Sequence, residues 1–218
     1  MRAKTREREC WHCSGRTGLE LVCLHCEAPQ PLPPAADLFD VLGLPRHLVV
    51  DGSELETRYH AASRVVHPDR HQTAGERDRA LSLAASAVVN RAYRTLRDPV
   101  ARGRYWLELQ GAPLGERNNQ VPPALAALVF ETQEQLEALR GTGASTAERG
   151  AVQMVRAELE QRVQGLVGDL ESRYAEWDAG NPSAPEVLSE LKRRLSEIAY
   201  LSTLLEDVEE ALVAGEPA

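Results

Sequence analysis

Apolar positions recur at steps of three and four along most of this chain, a pattern that predicts helices rather than strands. Leu55, Tyr59, Ala62 and Val66 form a first stripe, and Ser53 with Glu56 reads as a capping box starting that helix near residue 53. The helix must stop by His67, because Pro68 has no amide proton and disfavours helical backbone in the residue before it. A second stripe, Leu81, Ala84, Val88, Ala92 and Leu96, predicts a partner helix. The two can pack as an antiparallel hairpin with His67-Pro68-Asp69 presented at the tip. Asp98 and Pro99 then supply an N-cap and a first helical residue for another helix, through Trp106 and Leu109.

Gly111, Pro113, Gly115, Pro122 and Pro123 interrupt the pattern, and three more helices are expected beyond them. Val152, Val155, Leu159, Val163, Leu166, Leu170, Tyr174 and Trp177 make one long stripe. Leu188, Leu191, Leu195, Ile198, Leu205, Val208 and Leu212 make another, its one gap closed by Leu201 or Ser202. Ser145 with Glu148, and Ser183 with Glu186, read as their capping boxes, preceded by breaks at Gly141 to Gly143 and Asp178 to Pro182. An antiparallel three-helix bundle is the economical arrangement. Its shorter first helix buries Leu125, Leu128, Val129, Thr132, Leu136 and Leu139, which turns Ala127, Phe130, Glu134 and Glu137 outward. An outward Phe130 among acids packs on another domain, reflects a slightly rotated stripe, or anchors a protein partner.

Composition narrows the class. With 218 residues and 43% hydrophobic content, the chain can build one or two real cores. No apolar run approaches the roughly 18 residues that span a bilayer, so no membrane association is expected. The stretch Met1 to Glu9 has Lys and Arg but no apolar centre, so a secretory signal is not expected. A bacterial cytoplasmic protein fits best, or a mitochondrial matrix protein already processed. The net charge of -8 is uneven: residues 1–110 carry 16 Lys+Arg against 14 Asp+Glu, residues 111–218 carry 9 against 19. The halves therefore suit different partners, and neither is basic enough to favour nucleic acid.

All four cysteines fall in Cys10-Trp11-His12-Cys13 and Cys23-Leu24-His25-Cys26. Each knuckle puts two thiolates on one tight turn, and two knuckles complete a tetrahedral sulfur site, for which a structural zinc is the expected occupant. Iron, an iron-sulfur cluster or disulfides remain alternatives for the same four thiols. His12 and His25 hold matching positions but are expected to be exposed or outside the coordination shell.

These segments carry a family resemblance. Asp37-Leu-Phe-Asp-Val-Leu-Gly-Leu-Pro45, Arg58-Tyr59, His67-Pro-Asp-Arg70, and Asn90 to Pro99 with Arg102 and Tyr105 resemble the J domain of the HscB family, co-chaperones of iron-sulfur cluster assembly. The acidic bundle resembles that family's client-binding domain, and the cysteine segment the zinc module of its longer members. The implied fold is all-α: a J-domain helical hairpin and a C-terminal antiparallel three-helix bundle behind a small tetracysteine module. The implied segments are 1–28 for the metal module, 29–36 for a proline-rich linker, 37–110 for the J domain, 111–122 for a second linker, 123–213 for the bundle and 214–218 for a tail.

The resemblance implies a non-enzymatic co-chaperone. His67, Pro68, Asp69 and Arg70, helped by Arg58 and Arg64, would dock on an HscA/DnaK-type ATPase and stimulate its ATP hydrolysis. Ala126, Ala127, Phe130, Glu131, Glu134 and Tyr200 would hold the scaffold protein IscU, and Cys10, Cys13, Cys23 and Cys26 the metal. The chain departs from the family at Ala126 and Ala127, where leucine and methionine are usual, at Ala138, usually acidic, and at His71, usually aromatic. The docking patch is accordingly smaller in apolar area. A generic J protein for other clients is the alternative, with the cysteines as a substrate or dimerisation element. A monomer or weak dimer is expected.

Overall fold

The computed structural model describes residues 8–72, 74–115, 125–140 and 145–214. Residues 1–7, Thr73, 116–124, 141–144 and 215–218 lie outside the described residues, and with them the expected breaks at Pro122, Pro123 and Gly141 to Gly143 and most of the expected tail. The chain divides into two compact units, Met1–Arg102 and Gly103–Ala218.

In the first unit, β1 (Arg8–Glu9) pairs antiparallel with β2 (Arg16–Thr17) beside the cysteines. Helix α1 (Leu38–Leu42) starts at a reciprocal box in which the Asp40 N–H donates to Asp37 at 2.8 Å and the Asp37 N–H to Asp40 at 3.1 Å. It ends at Gly43, whose φ of +63° is left-handed backbone that favours glycine. With Leu38, Phe39, Val41 and Leu42 all buried, this single turn wedges between α2 (Gly52–Val66) and α3 (Glu76–Arg97).

Helix α2 is capped two residues earlier than the sequence suggests. The Asp51 carboxylate accepts the Glu54 N–H at 2.7 Å and the Ser53 hydroxyl at 2.6 Å, so the Ser53–Glu56 box does not form. An ionised acceptor outcompetes a hydroxyl for the helix's free amide. The buried stripe of α3 is also rotated from the expected one: Ser82, Ala85 and Val89 are buried in place of Leu81, Ala84 and Val88, before the two coincide at Ala92 and Leu96. The physical reason is a polar seal. Ser82 and Ser86 both donate to the carbonyl of Val66, at 2.8 and 3.0 Å, satisfying the last buried turn of α2. Further out, Tyr59 stacks on Tyr93 with ring centres 4.3 Å apart and donates to Asn90 at 2.9 Å.

Helix α4 (Pro99–Leu109) begins as expected, the Ala101 N–H donating to Asp98 at 2.6 Å. It starts in the first unit, where Arg102 donates to the Leu96 carbonyl at 2.6 Å, and continues into the second. There α5 (Ala126–Arg140), α6 (Thr146–Ala179) and α7 (Pro185–Ala214) pack as three mutually contacting helices. Leu125, Leu136, Leu139, Val152, Leu159, Leu201, Leu204 and Val208 form one core, pairing the first half of α6 with the last half of α7. The opposite halves meet at Tyr174, Leu191 and Leu195, so α6 and α7 run antiparallel. A Cβ added at Gly103 would collide with the Tyr174 hydroxyl, which is why α4 carries no side chain there. The Trp106 indole donates to Pro182 at 3.1 Å.

The Ser145–Glu148 capping box of α6 forms as the sequence predicts. The Ser183–Glu186 box does not: α7 starts at Pro185, and the Ala184 carbonyl already accepts the Leu188 N–H. Arg194, itself buried, bridges Asp169 on α6 and Glu190 one turn back, while Arg193 grips Glu190 from the other side. Hydrogen bonds from Arg193, reinforced against partial burial by Arg194, hold the Glu190 carboxyl down at about 2. Among the described residues no helix is long and apolar enough to cross a membrane.

Candidate functional site

The His-Pro-Asp tripeptide sits where α2 stops. His67 is both the last cap of α2 and the first of a 3₁₀ turn, Pro68–His71, with Pro68 in the turn's first position. The His67 ring accepts the Asp69 N–H at 3.3 Å, the Arg70 N–H donates to the His67 carbonyl at 3.0 Å, and Gln72 donates to Asp69 at 2.9 Å. Local capping is therefore part of what His67 and Asp69 do. It does not consume them, for their side chains remain 54% and 71% exposed. The turn is fixed at both ends while its charged groups stay in solvent, so little ordering entropy would be lost in any contact made there.

The expected cationic helpers are exposed too. Arg58 and Arg64 lie on the outer surface of α2, Arg58 pairing with Glu54 one turn back at 3.3 Å. Arg70 reaches Glu27 of the second cysteine knuckle at 3.8 Å. His71, the departure from the family pattern, donates back to the Val65 carbonyl at 3.5 Å and is half-buried.

The four cysteines converge. All four sulfurs lie within 4.8 Å of one another, with Cys10 to Cys26 at 3.7 Å and Cys13 to Cys23 at 3.8 Å. A tetrahedral zinc-thiolate site with bonds of about 2.3 Å has edges of about 3.8 Å, so this cluster has the size for one metal ion and is too open for disulfides. The knuckles are near copies of one another. The Ser14 and Glu27 N–H groups donate to the Cys10 and Cys23 carbonyls at 2.9 Å, and the His12 and His25 N–H groups approach the Cys10 and Cys23 sulfurs at 3.4 Å. Gln30 adds a donor to Cys10 at 3.2 Å. Both histidine side chains are exposed, as expected. Burial alone would raise the Cys10 thiol, but the amides of Cys13 and His12 and the thiols of Cys23 and Cys26 bring it down to about 6. Cys26 draws on the Ala28 amide, yet burial and hydrogen bonding to the other three sulfurs push it up to about 12. Four sulfurs this close together have the arrangement to hold one metal ion, whose charge would favour their thiolate forms.

This module is not a free appendage to the first unit. Trp11 donates to the Pro29 carbonyl at 2.7 Å, and the Arg77 guanidinium of α3 lies 4.1 Å over its ring. Those contacts, and the Glu27–Arg70 pair, were missed in the sequence. The available signal was Trp11 itself, an indole too large for so small a module to bury alone.

In the bundle, the surface of α5 is as the periodicity predicts. Phe130 is 65% exposed, and Ala126, Ala127, Glu131 and Glu134 are exposed with it. Tyr200 differs: it is only partly exposed and packs against the bundle core.

A helical hairpin presenting His-Pro-Asp at its tip defines a J-domain protein, and residues 37–105 match the DnaJ domain. Relatives narrow the class. The mouse protein named "Iron-sulfur cluster co-chaperone protein HscB" is 28% identical over 205 residues, 92% of this chain and 81% of that one. The "Co-chaperone protein HscB homolog" of Ralstonia nicotianae is 35% identical over 131 residues, 60% of this chain and 74% of that one. The crystal structure of human co-chaperone protein HscB matches with a TM-score of 0.73 at 25% identity, over 93% of this chain and 98% of that one. HscB from Vibrio cholerae matches at 0.56 and 29% identity, over 80% and 98%. The chain belongs to the HscB family of J-domain co-chaperones.

Proposed function

We propose that this chain is a two-ended adaptor in iron-sulfur cluster assembly, stimulating an HscA/DnaK-type ATPase through its loop and delivering an IscU-type scaffold through its bundle. The observation that carries the reading is the pairing, in one chain, of a solvent-presented His67-Pro68-Asp69 turn with an exposed Phe130 on an acidic helix face. The Asp69 carboxylate can accept a bidentate arginine from the ATPase. Pro68 and the turn's internal hydrogen bonds leave little ordering entropy to lose on docking. Arg58, Arg64 and Arg70 favour approach of an acidic surface.

On the client side Phe130 is the anchor, Ala126 and Ala127 give a shallow apolar surround, and Glu131 and Glu134 form an acidic rim. Tyr200 contributes only the part of its ring that the bundle leaves uncovered. In the metal module, Cys10, Cys13, Cys23 and Cys26 hold zinc, which cross-links a segment too small to be stabilised by its own core.

An ATPase assay of a cognate HscA-type chaperone, with this protein and IscU added separately and together, tests the reading. A more-than-additive response supports it, and stimulation indifferent to IscU points to a general J protein. In calorimetry Phe130→Ala weakens IscU binding about tenfold with helicity unchanged; unaltered affinity moves the client site elsewhere. Elemental analysis reads one zinc per chain, and iron in its place corrects the metal.

A further inference from the structure

The second cysteine knuckle and the docking loop face each other across one hollow. It has a volume of about 460 Å³, and its walls include Leu24 and Glu27 from the knuckle and Arg70, His71, Ala74 and Asp78 from the loop and the start of α3. All of these residues belong to the first compact unit. Whatever covers Arg70 and His71 from that side therefore meets the knuckle as well.

Two features of the knuckle suit it to that contact. Leu24 is 77% exposed at its tip, while the backbone beneath is held by the Glu27 and His25 amides on Cys23. An isolated exposed leucine is ordinary. Leu83 is another here, and Met154 is exposed in the same way, but neither lines this hollow. Leu24 does, on a turn whose rigidity leaves little entropy to lose when a partner covers it. The second feature is Glu27, whose φ of +57° is left-handed backbone that suits glycine. The matching position in the first knuckle is Ser14, also at +57°, so the turn itself imposes the conformation and a carboxylate is carried there despite it. That carboxylate meets Arg70 at 3.8 Å with both groups mostly exposed, a pair too solvated to stabilise the fold much. It brings the two groups together on the rim of the hollow.

We propose that the second knuckle is part of the surface on which the ATPase partner docks, with Leu24 as its apolar contact beside the Glu27–Arg70 pair on the rim. The inference rests on the reading of the His67-Pro68-Asp69 loop as the docking element, with which this surface is continuous. The metal module is then a specificity element for the chaperone, distinct from the client face on α5.

The test titrates full-length Leu24→Asp into a cognate HscA-type ATPase, with metal content and thermal melting measured on the same sample. The half-maximal concentration rises about tenfold, a loss of about 1.4 kcal/mol, while maximal stimulation and IscU affinity stay at wild-type values. Leu24→Ala, which adds no charge, shifts the midpoint the same way by about threefold. His67→Gln, run in parallel, loses stimulation altogether. An unmoved midpoint for both Leu24 variants beside an inactive His67→Gln overturns the proposal and leaves the loop's role standing. A His67→Gln that still stimulates sinks the underlying reading. Weakened IscU binding or an altered oligomeric state, with an unmoved midpoint, assigns Leu24 to another occupant and also overturns the proposal.

Discussion

The Val66 carbonyl, one residue before the His67-Pro68-Asp69 turn, ties the end of α2 to α3. It is buried and accepts both the Ser82 and the Ser86 hydroxyls. Losing one such bond costs about 1 kcal/mol, and alanine returns about 0.5 kcal/mol through better helix propensity. Ser82→Ala and Ser86→Ala should therefore each destabilise by only about 0.5 kcal/mol, since the other hydroxyl still satisfies the carbonyl. The double variant orphans it. The desolvation penalty of a buried unpaired carbonyl, up to about 3 kcal/mol, then enters, offset by about 1 kcal/mol of propensity. A net loss of about 2 kcal/mol exceeds the sum of the singles by about 1, well beyond ordinary non-additivity.

Because the chain has two compact units, a single global melt is a poor readout, and native-state hydrogen exchange of the last turn of α2 is the appropriate assay. Its amides should lose protection by roughly thirtyfold in the double variant and by about twofold in each single. The double variant should also need more protein for half-maximal ATPase stimulation, because the loop's anchor is loosened. An additive double variant would show that another donor reaches the carbonyl and would refute the reasoning.

Gly103→Ala forces a methyl into the Tyr174 hydroxyl and to within 3.3 Å of Leu191 and Leu195. Overpacking of about 1–3 kcal/mol should outweigh the helix propensity gained, and native-state hydrogen exchange where α6 meets α7 should speed up accordingly; unchanged protection there would contradict that packing. Glu190 is held at about 2 against an ordinary 4.5, so its ion pairs stabilise the fold fully above pH 4.5 and lose that contribution as pH falls from there towards 2. With the side chain 34% exposed, the effect is discounted to about 1 kcal/mol. Glu190→Gln should lower stability at pH 7 and flatten the acid limb between pH 4.5 and 2, as read by denaturant midpoints across pH.

What the sequence revealed depended on how strong and how apolar each signal was. Phe130 could be placed outside the core because the stripe from Leu125 to Leu139 is long enough to fix the phase of α5. On α3 the phase was wrong by one residue over its first half, since Ser82 is buried by a hydrogen bond to the Val66 carbonyl, which a hydrophobic pattern cannot see. Asp51 displaced Ser53 as the cap because its carboxylate takes both the Glu54 amide and the Ser53 hydroxyl, a competition that the Ser53–Glu56 spacing does not show. The five-residue α1 is too short to show a period at all. The cysteine spacing announced the metal site, but nothing in it indicated that Glu27 and Trp11 would meet Arg70 and Arg77. Those contacts join residues more than forty positions apart, and only the fold brings them together.

If the exposed His67-Pro68-Asp69 turn drives an ATPase partner, single-turnover ATP hydrolysis by a cognate HscA-type chaperone should separate wild-type protein from His67→Gln. Wild-type protein should stimulate hydrolysis and His67→Gln should not, with metal content and IscU affinity unchanged; a His67→Gln that stimulates as well as wild type would show that the turn does not drive the ATPase.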